Sequence, residues 1–394
     1  MESVRLEMKI RVPSYFKDFT CIASECEDTC CAGWGIVIDE ETYNCYQNIE
    51  SEFGKKLRSK IVEEDGDNVF VLDGENCPFL NKNNLCEIYN ELGEKNLCYT
   101  CRQYPRYMEE FFDLREMGIS LSCPEAARII LGNDKATAFE LSEDDQVGDM
   151  EDSIDEDVLE DFFLCRDIII NMIEMPNISL GVKAAVVLRV VEEIQDKIDF
   201  DEMDEIKYVI EKYNNSCFVE ELINDLYKYE ENEVIKYNNV CAYFKTYRDL
   251  EHINTHDPLG LNKALKNFGQ SEADRRAYID QHKAFNHYYK DNMYKFKNIL
   301  VYFIFRYFMK SIFDYDTSAK IKIAIISTIM IKELAVVRWM ENGQFTEVDM
   351  VDISHMYSKD VEHLEENIEA LQEIFETEAV YDIDQIIMTL MNEF

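Results

Sequence analysis

Histidine is missing from this 394-residue chain until His252, which excludes a Cys/His zinc finger from everything before it. Basic residues are few, 40 against 80 acidic, and the net charge of −40 repels phosphate backbones and anionic lipid headgroups. Nucleic acid and membrane surfaces are therefore not expected as partners. Neither a G-x-G-x-x-G turn nor a P-loop occurs, so no Rossmann dinucleotide site or Walker phosphate site can be placed. Long apolar runs are absent as well: 299–313 is broken by Arg306 and Lys310, and 321–337 by Lys322, Lys332 and Glu333. These stretches read as buried helices and not as membrane spans. Met1 to Arg11 is charged throughout and shows no apolar core with a cleavage site, so no signal peptide is read and a cytoplasmic location is expected. Glycine and proline are scarce, 13 and 6 residues, while 47% hydrophobic and 12% aromatic content excludes global disorder.

What the chain has in abundance is cysteine, and it is concentrated at one end. Cys21, Cys26, Cys30, Cys31, Cys45, Cys77, Cys86, Cys98, Cys101 and Cys123 all precede residue 124, leaving only Cys165, Cys217 and Cys241 beyond it. In a reducing compartment such a set points to metal or catalysis before disulfides. Thiolates are soft ligands, and four in a tetrahedral array suit an iron–sulfur cluster, favoured here, or zinc. The pattern C-x4-C-x3-C-C, C-x8-C, C-x2-C and an isolated Cys123 offers nine candidates, enough for one four-ligand site with spares or for two sites. The adjacent pair Cys30 and Cys31 argues against a simple zinc ribbon, and the C-x3-C-x2-C loop of radical enzymes is not met. Cys45, Cys165, Cys217 and Cys241 are expected to be small buried apolar side chains. Ser122-Cys123-Pro124-Glu125 reads as a capping box that places Cys123 at a helix N-terminus, where a thiolate is stabilised.

The fold class expected is mainly α. A cysteine-rich metal-binding domain with a few short strands spans 1–139, an acidic linker or loop 140–161, and an all-helical domain 162–394. Gly33–Asp39 and Asn68–Leu72 look extended, and Asp39 can cap a helix running to about Glu63. From 156–175 through 383–393, apolar residues recur at helical spacing almost without break. Other constellations are weak. His252 and His256, with Glu251 and Thr255, could share a metal-binding face, whereas His282 and His287 are five apart and do not. The aromatic run from Phe285 to Phe313 reads as core, with a cofactor or lysine pocket as the lesser reading.

The segments Cys21-x4-Cys26-x3-Cys30-Cys31-x-Gly-Trp, Cys77-Pro-Phe-Leu, Cys86-Glu-Ile-Tyr, Thr100-Cys101-Arg-Gln-Tyr-Pro-Arg106 and Leu121-Ser-Cys-Pro-Glu-Ala-Ala-Arg128 resemble the flagellin lysine N-methylase family. The likeness is strong over 15–130. In the second domain it rests on Asn298-Ile-Leu-Val-Tyr-Phe-Ile-Phe-Arg306, with Ile299 where an aromatic is expected. The resemblance implies methyl transfer from S-adenosylmethionine to surface lysines of flagellin by a protein carrying a 4Fe–4S cluster. It marks Cys21, Cys26, Cys30, Cys31, Cys77, Cys86, Cys101 and, more narrowly, Cys123 as metal ligands, holds Cys98 in reserve, and makes Asn298 and Arg306 the candidate cofactor-binding residues. The alternative is a non-catalytic metal-binding interaction or maturation protein with a structural zinc or iron–sulfur site.

Overall fold

The computed structural model describes residues 6–64, 66–74, 76–148, 156–229, 233–253, 259–269 and 271–394. The first part of the chain alternates short strands and helices: β1 (Leu6–Pro13), β2 (Val37–Ile38), α1 (Glu40–Gln47), α2 (Glu52–Arg58), β3 (Ile61–Glu64), β4 (Asp67–Phe70), α3 (Glu87–Leu92), α4 (Tyr99–Gln103), β5 (Arg106–Phe111), β6 (Leu114–Ile119), α5 (Pro124–Gly132) and β7 (Phe139–Gly148). Helices then follow one another: α6 (Glu156–Ile173), α7 (Leu180–Asp199), α8 (Ile206–Tyr213), α9 (Ser216–Leu226), α10 (Glu233–Arg248), α11 (Leu261–Leu265), α12 (Glu272–Tyr289), α13 (Tyr294–Tyr307), α14 (Ser311–Asp314), α15 (Thr317–Asn342), α16 (Glu347–Glu362), α17 (Glu365–Thr377) and α18 (Ile383–Leu390). The mainly α class is observed. No helix among the described residues is long and apolar enough to cross a membrane.

Asp39 caps α1 as expected, accepting from Thr42 N. The helix then stops at Gln47 instead of reaching Glu63, because Ser51 starts a second helix by accepting from Gly54 N and the chain beyond Ser59 joins a sheet. The acidic stretch expected as a linker or loop over 140–161 is also structured. Its first part lies within β7, which pairs antiparallel with β1, and α6 begins at Glu156; residues 149–155 lie outside the described ones. Its charges are met by cations that composition alone does not place, among them Lys17 on Glu140 and Arg115 on Asp144.

Two sheets result, one ordered β5-β6-β1-β7 and one β2-β4-β3. On β6, Gly118 stands opposite Tyr107, and a Cβ there would overlap the Tyr107 ring; only glycine lets that aromatic lie across the sheet. The larger core joins this sheet and α5 to the helices: Tyr15, Phe111, Ile119, Leu121 and Ala126 pack in one cluster with α6, α7, α13 and α15. At its centre α15 is buried on every face from Ile321 to Val336, apart from a half-buried Lys322, which explains its apolar run without a membrane. Residues 36–101 keep a separate, smaller core of Ile36, Ile38, Tyr46, Leu57, Phe70, Phe79 and Ile88.

Sheet and helices are also tied by a buried ion pair. Arg166 on α6 donates through both terminal nitrogens to Glu116 on β6, at 2.6 and 2.5 Å, between the rings of Phe163 and Phe305. Glu116→Gln is expected to lower unfolding free energy by about 2 kcal/mol, since one charge-assisted bond goes while the amide oxygen still accepts the other. Urea midpoints of the two proteins measure it.

Candidate functional site

Helix ends and tight turns bring the cysteines together. Cys86 and Cys98 are the N-cap residues of α3 and α4, and Cys101 follows one turn into α4. Asp39 holds that second helix start by also accepting from Tyr99 N at 2.6 Å. Cys77 N donates to Cys31 O at 2.7 Å, and Leu80 bridges Cys86, so three distant segments meet. Cys123 is the N-cap of α5, with Pro124 at the first helical position.

Cys21, Cys26, Cys30, Cys31, Cys86, Cys101 and Cys123 line one cavity of about 440 Å³, and Cys77 and Cys98 lie behind its wall. No three of these sulfurs stand within 4.8 Å of one another. In a tetrahedral zinc site, with Zn–S near 2.3 Å, the sulfurs would be about 3.8 Å apart. The thiols therefore do not stand as a preassembled tetrahedral set; Cys30 with Cys31, and Cys98 with Cys101, are hydrogen-bonded pairs among them. As free thiols the set divides: burial pushes Cys123 up to about 11 and Cys77 to about 12, whereas hydrogen bonds from Cys30 and Cys101 lower Cys31 and Cys98. A bound cation reverses that balance.

Aromatic side chains line the same cavity. Trp34, Tyr104 and His363 form a cluster with ring centroids 5.5 Å (Trp34 to Tyr104), 4.8 Å (Trp34 to His363) and 6.0 Å (Tyr104 to His363) apart. Trp34 is fixed by donating from Nε1 to Cys30 O at 2.8 Å, and Tyr104 by a 3.1 Å bond to Ser122 Oγ. Gly33, at φ +86°, presses this loop onto α16, where a Cβ would meet Ile253 at 3.1 Å and Lys359 at 3.4 Å. Lys359 closes the rim with a 2.7 Å ion pair to Asp28. His363 is driven down to about 4, first by desolvation and then by Arg306 and Lys359, so its ring is neutral at neutral pH.

The sequence-derived candidates divide into those inside this cavity and those outside it. The eight proposed ligands are brought together, and Cys98, held in reserve, joins them. Asn298 and Arg306 do not line the cavity. Asn298 is buried and donates to Ile130 O and Asn133 O, tying down the end of α5. Arg306 sits one layer behind, 3.9 Å over the Tyr107 ring and 3.2 Å from Glu362, which also accepts from Tyr302 and Tyr307. Ser122 does not cap α5, its hydroxyl meeting Ser120 and Tyr104 instead, and at Cys123 desolvation outweighs the helix-end amides that favour a thiolate. Of the cysteines expected to be buried and apolar, Cys165 is, but Cys45 and Cys217 are exposed and Cys241 is half-buried. His252 pairs with Asp360 at 2.5 Å; Thr255 and His256 lie outside the described residues.

Lys359 and His363 escaped sequence reasoning, although His355, Lys359 and His363 recur every four residues on one helix face, the available signal. A second ionisable group lies deep in the helices, where His282, Glu333 and Glu393 could hold a metal by distance alone. Lys236 and Lys332 place their ammoniums there, 2.8 and 2.9 Å from Glu393, so the charge is already met from within the chain.

Comparison with known proteins gives a family model described as the FliB lysine N-methylase C-terminal domain, which matches residues 166–389, more than half of the chain and mostly where the likeness in sequence was thinnest. The flagellar biosynthetic protein FliU of Salmonella muenchen is 30% identical over 147 residues, 34% of this chain and 83% of that protein. The lysine-N-methylases of Salmonella choleraesuis and Salmonella typhimurium are each 29% identical over 147 residues, 34% of this chain but only 35% of theirs. No solved structure matches.

Proposed function

The chain belongs to the FliB lysine N-methylase family, and we propose that it transfers a methyl group from S-adenosylmethionine to the ε-amine of lysines on flagellin, in the reducing cytoplasm. The observation that carries this reading is the cavity itself, in which thiols face a Trp34, Tyr104 and His363 cluster. Aromatic faces attract both the cationic sulfonium of the donor and an incoming ammonium, and the volume is that of a small-molecule site. The relatives named lysine-N-methylases support the reaction, and the flagellar name of FliU supports the substrate.

In the step proposed, the lysine nitrogen forms a bond to the methyl carbon as the carbon–sulfur bond breaks, and the donor leaves as a neutral thioether. The ammonium must lose its proton first. That proton leaves to solvent, because His363, held down to about 4, is too weak a base to keep it. The neutral ring, with no hydrogen bond among the described residues, can accept one from the bound amine. Asp28 is committed to Lys359. Trp34 and Tyr104 hold the donor's cationic centre, and the enclosure keeps nitrogen, carbon and sulfur in line. A 4Fe–4S cluster would be held by four of the seven cysteines that line the cavity; when bound it would supply a fixed wall and a Lewis-acidic iron.

Trp34→Ala is expected to weaken S-adenosylmethionine binding by about 1–2 kcal/mol, the worth of a desolvated cation–aromatic contact. Calorimetric titration of anaerobically purified protein reads it. Unchanged affinity in the variant, or none in the parent, would remove the donor from this cavity and favour a metal-binding interaction protein.

A further inference from the structure

Among the described residues that line the cavity, Lys359 is the one cationic side chain, since the His363 ring is neutral. The two carboxylates of the lining differ: Glu94 is solvent-exposed, whereas Asp28 is half-buried and pairs with Lys359 at 2.7 Å. The Lys359 ammonium also lies against the turn that carries Trp34. A Cβ on Gly33 would stand 3.4 Å from Lys359 Cε and 3.7 Å from Nζ. His363, the C-cap of α16, follows Lys359 by one helical turn. The ion pair, the aromatic wall and the neutral imidazole are therefore neighbours. Nor is the pair packed solid from behind. Asp28 and Lys359 also line a second cavity of about 260 Å³, where the buried His355 turns an Nδ1 without a hydrogen-bond partner toward Asp28 Oδ2, at 3.9 Å. Both side chains have room to part, and Asp28 has a further polar neighbour.

We propose that Asp28 and Lys359 form the subsite for the amino-acid end of the methyl donor. The Asp28 carboxylate accepts from the donor's α-ammonium, and the Lys359 ammonium donates to its α-carboxylate. This subsite rests on the reading of the cavity as the donor's and deepens it. S-adenosylmethionine carries a zwitterion two methylenes from its sulfonium, and a zwitterion matches an ion pair charge for charge. With the sulfonium against Trp34 and Tyr104, Lys359 beside Gly33 is the cation within that short reach. Inserting the zwitterion exchanges one ion pair for two, so neither protein charge is left bare on binding. Asp28 stays engaged in both states, which keeps it from taking the proton of the incoming lysine.

Calorimetric titration of the full chain, purified anaerobically, with S-adenosylmethionine and with its decarboxylated form tests the assignment. The parent should bind the decarboxylated form about 10- to 100-fold more weakly, the worth of one hydrogen bond between charged groups. Lys359→Met should weaken S-adenosylmethionine by a similar factor and leave the decarboxylated form unchanged, while Lys359→Arg keeps most of the preference. A parent that binds both ligands equally overturns the subsite whether or not any variant folds. A Lys359→Met protein that still prefers S-adenosylmethionine by the parental factor also overturns it, since the carboxylate then has another partner, such as iron. In both of these outcomes the donor still binds and the reading of the cavity stands. A parent that binds neither ligand removes the donor from the cavity, and the subsite with it.

Discussion

Replacing His363 by alanine is expected to slow methyl transfer at saturating donor by about 10-fold, the worth of one hydrogen bond that orients the lysine nitrogen. The reason is local. A lysine enters as an ammonium, and of the acidic side chains that line the cavity Asp28 is paired to Lys359 at 2.7 Å and Glu94 is solvent-exposed, while Tyr104 is held as a neutral phenol by burial. Desolvation, Arg306 and Lys359 keep the His363 ring unprotonated down to about pH 4. Its unprotonated nitrogen is therefore available as a hydrogen-bond acceptor across the neutral range, and activity lost through His363 appears only as the pH falls toward 4. Between pH 6 and 9 the rate should rise with pH as the substrate amine sheds its own proton, without an imidazole limb near 6.5. His363→Gln, which keeps an acceptor, should recover part of the rate. A His363→Ala variant with parental kcat would show that His363 does not orient the amine.

Glu393→Gln is expected to cost about 3–5 kcal/mol of stability, the penalty for breaking a buried ion pair by removing one partner. Glu393 is fully buried and lies 2.8 Å from Lys236 and 2.9 Å from Lys332. His282 completes the group, Nε2 standing 3.1 Å from Glu333 and Nδ1 3.3 Å from the Lys236 ammonium, which fits a neutral ring that donates to the carboxylate and accepts from the lysine. Tyr278 donates to Glu333 at 2.6 Å. Desolvation, then Lys236, holds His282 well below its ordinary value. The unfolded chain therefore takes up a proton below about pH 6.5 that the folded one refuses, and the stability this group confers is lost as the pH falls through that value. Lys332 is lowered to about 8, chiefly by desolvation, so its burial penalty eases as the pH rises from 8 toward 10.5. Denaturant midpoints from pH 5 to 8 should slope less in His282→Gln than in the parent. A Glu393→Gln protein as stable as the parent would mean that the two ammoniums find other partners.

The helices were readable because their apolar residues recur at helical spacing, and a central helix such as α15 announces itself as an apolar stretch whose Lys322, Lys332 and Glu333 make it too charged for lipid. The cysteine set was readable because thiols so concentrated have few uses besides metal. How its segments meet was not, since it takes the Cys31 to Cys77 backbone bond and the Leu80 to Cys86 bridge to join stretches far apart in sequence. Strand β7 was hidden by its acidic composition, which resembles a solvated linker until Arg115 and Lys17 are placed against it. Lys359 and His363 reach the cavity from the far end of the chain, and only the packing of α16 against the Gly33 turn reveals them. Asn298 and Arg306 stood out in the sequence for a different reason, since each anchors elements around the cavity without facing it.

The most direct test incubates anaerobically purified protein with flagellin and S-adenosylmethionine carrying a deuterated methyl group, followed by mass spectrometry of flagellin peptides. Deuterated methyl groups on lysine side chains, fewer in Trp34→Ala at limiting donor and slower to appear in His363→Ala while the protein keeps its iron, are the result expected. Unlabelled flagellin in the presence of an iron-replete protein that binds the donor would contradict the account.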